Sequence, residues 1–168
     1  RGETKLTSSV DIYTLEQNFL VIHGIRNEEA AVSIVSILKE FKEKVIIIPG
    51  NHDFYMDEVD SLWHYFKTNV DAEKILILDQ YEVLIDTVGD QEVRFYPAAC
   101  RTLHSDEHMI GWVAAEEKPK NAIHIGIAHG NVVGLGRDED GKYFNMKEAE
   151  LKDAGVDFWL LGHIHVAY

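Results

Sequence analysis

A chain of 168 residues has room for one domain with a sizeable core, and its 46% hydrophobic and 27% charged content is ordinary for a globular protein. The formal charge of −13 argues against a protein that holds nucleic acid by bulk electrostatics, and the single Cys100 excludes an internal disulfide framework. No apolar run nears the ~20 residues of a bilayer span and the Arg1–Val10 start is not signal-like, so with the lone cysteine the expected setting is the reducing cytoplasm, away from membranes.

In chain order, Phe19 to His23 (FLVIH) is an apolar run ending at Gly24 and is expected to be a buried strand. From Asn27 to Lys42, Ala31, Ile34, Val35 and Leu38 recur at helical spacing behind a potential Asn27 N-cap. Val45 to Ile48 (VIII) is β-branched throughout and stops at Pro49–Gly50, which marks a central strand delivering a loop. Strand, helix and strand in this order predict parallel pairing with a right-handed crossover. Asp57 to Phe66 reads as a helix with Val59, Leu62, Trp63 and Phe66 on one side. Ile75–Leu78, Tyr81–Thr87 and Glu92–Tyr96 read as strands, the last two turning at Gly89–Asp90. Ala122–Ala128 is a further strand, Gly134–Lys142 a surface loop, Met146–Ala154 a helix, and Asp157–Leu161 a final strand. The expected architecture is α/β: a layered αββα-type sandwich with mixed sheets and helices on the outer faces.

Three of these strands end in loops bearing metal-competent side chains. Asn51, His52 and Asp53 follow VIII, His129 follows AIHIGIA, and His163 and His165 follow DFWLL. Sites in parallel α/β sheets form beyond the carboxyl ends of the strands, so these groups are expected to converge. Imidazole nitrogen and amide oxygen suit manganese, iron and zinc, and a pair of such ions would polarise a phosphoryl group and activate water. Two divalent cations would also offset about four of the chain's negative charges where a phosphate must sit. The remaining histidines His23, His64, His104, His108 and His124 are read as structural, and Trp63, Tyr65, Phe66 and Trp159 as packing residues.

Pro49–Gly50–Asn51–His52–Asp53 resembles the Gly-Asn-His-Asp motif of the calcineurin-like metallophosphoesterases, and Gly162–His163–Ile164–His165 resembles their Gly-His-x-His motif. His129 stands where that family has an isolated histidine ligand. The resemblance implies that Asn51, His129 and His163 bind one metal ion and His165 a second, most readily manganese, with iron and zinc as alternatives. It implies that His52 acts at the leaving oxygen and that Asp53 orients it.

Across the last 50 residues the chain is similar to the SbcD-type DNA-repair exonucleases, through Ala128–His129–Gly130–Asn131–Val132 and the passage from Ala154 to His165. That similarity implies DNA as substrate, an SMC-like ATPase partner of SbcC type, and a homodimer. Two other readings stay open: hydrolysis of a small diester such as a cyclic nucleotide, and a metal-poor scaffold.

The family's Asp-x-His and Gly-Asp motifs are not intact. Ile25 follows Gly24 where the resemblance demands a bridging aspartate, and Asp11–Ile12–Tyr13 is either an Asp-x-His with its histidine replaced or the start of a helix. The expectation is therefore a single core domain over 1–168, with residues omitted between Gly24 and Ile25 and a truncated carboxyl terminus.

Overall fold

The computed structural model describes residues 11–15, 19–23, 28–59, 61–106, 109–134 and 141–163, with side chains from residue 32 onward. Among the described residues, eight strands form two four-stranded sheets. The first contains β1 (Asp11–Leu15), β2 (Phe19–His23), β3 (Lys44–Ile48) and β4 (Ile75–Ile77) in that order. The second contains β5 (Leu84–Val88), β6 (Gln91–Ala98), β7 (Ala122–His129) and β8 (Phe158–Gly162). Each sheet opens with an antiparallel pair and continues in parallel. Helices α1 (Glu28–Glu40) and α2 (Leu62–Asn69) lie on the first sheet, and α3 (Glu148–Asp153) belongs to the second. This is the expected mixed α/β sandwich.

Alternation along β3 explains why four consecutive branched residues are wanted there. Val45 and Ile47 pack under α1 and α2 with Leu38, Trp63 and Phe66, while Ile46 and Ile48 face the second sheet against Phe95, Ile125 and Ile127. Both faces of the strand are buried, so an apolar residue is needed at every position. On β7 the same alternation puts Ala128 on the outer side of the second sheet. Gly126 is there because Trp159 lies across it: a Cβ built on Gly126 would come within 2.4 Å of the indole ring. Trp159 is further fixed by its Nε1–H, which donates to the Leu151 carbonyl at 2.9 Å. It is a packing residue, as expected.

The register sets the site. His23 pairs with Ile48, Ala98 with Ala128, and His129 with Gly162, which aligns the carboxyl ends of the parallel strands. Backbone bonds then join the two sheets at that edge, from Cys100 N–H to the Pro49 carbonyl at 3.1 Å and from Tyr55 N–H to the Cys100 carbonyl at 2.8 Å.

Two expectations are corrected. Asp11–Tyr13 is not the start of a helix but part of β1, paired antiparallel with β2. The second helix begins at Leu62 rather than Asp57, because the Ser61 hydroxyl caps it by accepting the His64 N–H at 3.1 Å. Val59 is consequently outside the helix and 75% exposed. The expected gap at Gly24–Ile25 and the Asn27 cap lie outside the described residues. No helix among the described residues is long and apolar enough to cross a membrane.

Candidate metal centre

The loop after β3 is shaped by glycine and aspartate. Asp53 Oδ1 accepts the Gly50 N–H at 3.0 Å, and the Asp53 carbonyl accepts the Trp63 Nε1–H at 2.6 Å, so the turn is tied to both itself and α2. A Cβ on Gly50 would stand 2.9 Å from His129 Cε1 and 3.0 Å from His129 Nδ1. Glycine is required here by the close approach of the histidine ring. This folds Asn51 inward, 1% exposed, and leaves His52 exposed at the rim.

His129 ends β7, is 8% exposed, and brings Nε2 to 2.9 Å from Asn51 Oδ1. The amide orientation follows from its other end, since Asn51 Nδ2 donates to the Leu103 carbonyl at 3.4 Å and a carbonyl can only accept. Oδ1 therefore faces the imidazole. His129 Nε2 and Asn51 Oδ1 are adjacent, buried donor atoms of the kinds that bind divalent transition metals, and they would be available to an ion once their mutual hydrogen bond is given up.

His163 follows β8 and sets its ring against His129, with centroids 5.3 Å apart and planes at 75°. Its φ of 139° is unusual for a residue with a side chain. Strained backbone of this kind costs about 1–3 kcal/mol and persists only when its surroundings hold it. Tyr143 supplies part of that hold, its ring 5.2 Å from His163 at 35°, and His104 packs edge-on against Tyr143 at 5.3 Å. Tyr143 is delivered by a short return of the chain, in which Asn131 N–H donates to the Tyr143 carbonyl at 2.9 Å.

The structure thus brings together Asn51, His129 and His163, places His52 at the rim, and uses Asp53 to close the loop. His165 lies outside the described residues. Among the described residues no three His, Cys, Asp or Glu side chains form a metal-holding group. The asparagine oxygen and two imidazoles fit part of a coordination shell, and the position expected to supply a bridging carboxylate, 25, is also outside the described residues. Burial, then the nearby Asp53 charge, push the Cys100 thiol far above its ordinary value, so it stays protonated and donates to the His129 carbonyl at 3.4 Å. Through that bond it supports the end of β7.

His124 is structural, as expected. Its Nε2 lies 3.0 Å from the Pro119 carbonyl, which can only accept, so Nδ1 is left to accept the Tyr96 hydroxyl at 2.8 Å. His64 is exposed on α2. Sequence reading missed the pairing of His104 with Tyr143, because neither local pattern marks a contact across 39 positions. A cavity of about 410 Å³ lined by Lys67, Leu78, Leu84 and Pro97 includes none of the clustered ligands in its wall. The convergent polar groups, rather than that cavity, define the candidate site.

The family model described as calcineurin-like phosphoesterase matches residues 20–167, a span that contains every residue of this cluster. A comparison with curated proteins found no match.

Proposed function

Because the chain belongs to the calcineurin-like phosphoesterase family, a family of metal-dependent hydrolases acting on phosphoester bonds, we propose that it is a dinuclear-metal phosphodiesterase, and specifically a DNA-repair nuclease of SbcD type. The observation that carries the reading is the buried pairing of Asn51 Oδ1 and His129 Nε2, 2.9 Å apart at the carboxyl edge of the strands, with the His163 ring alongside. Asn51, His129 and His163 would hold one divalent ion and His165 contribute to a second, manganese being preferred. When bound, such ions polarise the phosphoryl oxygens and favour attack by water.

The chain's own residues do the rest. Asn51 and His129 are buried and already adjacent, so the donor atoms for an ion are brought together by the fold itself. His52, exposed at the rim, donates a proton to the departing oxygen as the ester P–O bond breaks and the new water-derived P–O bond forms. Asp53 keeps the loop in the turn that presents His52. On this reading an SbcC-type ATPase would deliver DNA, and two copies of the chain would work together.

The acidic balance of −13 favours the second reading, a small diester as substrate, because it opposes a polyanion. Incubation of the manganese-loaded chain with linear duplex DNA and, separately, with a cyclic nucleotide discriminates the two. Release of nucleotides from DNA with the cyclic nucleotide left intact is the expected result. Cleavage of the cyclic nucleotide alone would replace the nuclease reading with the small-diester one.

A further inference from the structure

We propose that Arg101 forms an anion subsite beside the Asn51–His129 pair, binding the phosphate next to the scissile one in an oligonucleotide; this rests on the phosphodiesterase reading. Placement is the first ground. Cys100, immediately before it, bonds to Pro49, Tyr55 and the His129 carbonyl, and Leu103, two residues after it, accepts the Asn51 amide. Two residues of extended chain span only about 7 Å, so Arg101 is held on the loop that walls the site.

Preorganisation is the second ground. The Arg101 Cζ lies 5.2 Å from the ring centroid of Tyr55 and 5.2 Å from that of Tyr81, a guanidinium in contact with two aromatic rings. Nη2 donates to the Asp79 carbonyl and reaches Gln80 Oε1 at 3.4 Å. The rings are themselves anchored: Tyr81 O–H donates to the Ala99 carbonyl at 2.9 Å, and the Tyr55 oxygen accepts from Lys67 Nζ at 2.9 Å. A guanidinium fixed before its ligand arrives loses little freedom on binding.

Charge is the third. Arg94 is paired with Glu92 and Lys67 with Asp79, whereas among the described residues Arg101 has no carboxylate partner. Its oxygen partners are a backbone carbonyl and an amide oxygen, both neutral. In a chain of net charge −13, a half-buried arginine on the loop that follows Cys100 offers a fixed positive charge that a second phosphate would use.

The test uses the manganese-loaded His52→Ala chain, slowed in turnover, and a fluorescent single-stranded thymidine oligonucleotide followed by anisotropy across ionic strengths. Adding Arg101→Gln should weaken binding several-fold and reduce the slope of log affinity against log salt by about 0.7, the share of one phosphate contact on a single strand. Adding Arg101→Lys instead should preserve the slope, which a purely structural role would not predict. Equal slopes with arginine and glutamine, or no binding by the arginine-containing chain, would overturn the subsite. Hydrolysis of bis(p-nitrophenyl) phosphate by the unaltered chain, which needs only one phosphate, reports separately on the phosphodiesterase reading.

Discussion

Replacing His129 by alanine is expected to reduce phosphodiesterase activity by about 10³-fold or more and to lower metal occupancy with it, while the fold survives. The activity loss corresponds to about 4 kcal/mol of transition-state stabilisation. His129 ends a strand whose interior, Ile125, Ile127 and Ala128, is packed without it. Its backbone carbonyl continues to take the Cys100 thiol in the variant, and the Gly130 N–H still reaches the Gly162 carbonyl at 3.0 Å. What is lost is Nε2, the atom facing Asn51 Oδ1. Elemental analysis together with circular dichroism checks this: loss of metal with an unchanged spectrum is expected, and full metal content in the variant would remove His129 from the ligand set.

His52→Ala should behave differently. Its kcat is expected to fall by about 10²-fold, the usual contribution of a positioned general acid, with metal content nearly unchanged. The distinction follows from where the neighbouring side chains go: Asn51 is buried against His129 whereas His52 is exposed at the rim of the same turn. The loop that carries them is held by Asp53 through Gly50 and Trp63, neither of which depends on the imidazole. Single-turnover kinetics and metal analysis on one preparation separate the effects. Metal loss equal to that of a His163→Ala variant would show that His52 is a ligand rather than the group serving the leaving oxygen.

Much of this was legible in the sequence because the informative signals are local. VIII followed by Pro49–Gly50 marks a buried strand and its exit, and both AIHIGIA and FWLL end at the residues that converge, since parallel pairing places such ends on one edge. The β1 strand was missed because Asp11–Leu15 has no strong apolar alternation, and its place depends on pairing with β2. The start of α2 is hard to read because Val59 continues the apolar spacing, whereas the boundary is set by the single Ser61 hydroxyl that caps the helix. The ring series from His104 through Tyr143 to His163, and the stacking of Arg101 between Tyr55 and Tyr81, are products of tertiary approach, for which no spacing rule exists.

The glycines show the same division. Gly50 belongs to a recognisable motif, but the reason it must be glycine is the imidazole from a strand nearly eighty residues away, 2.9 Å from the Cβ it lacks. Gly126 carries no motif at all, and its need is set by an indole from the neighbouring strand.

The proposed phosphodiesterase activity depends on a metal ion held by Asn51, His129 and His163. Its most direct test is a titration of the chelator-treated chain with manganese, in which bound metal and the rate of bis(p-nitrophenyl) phosphate hydrolysis are read from the same samples. Hydrolysis is expected to be negligible without metal and to rise in proportion to occupancy, with magnesium supporting less. Saturation with manganese and no accompanying hydrolysis, or hydrolysis that is indifferent to metal, would contradict it.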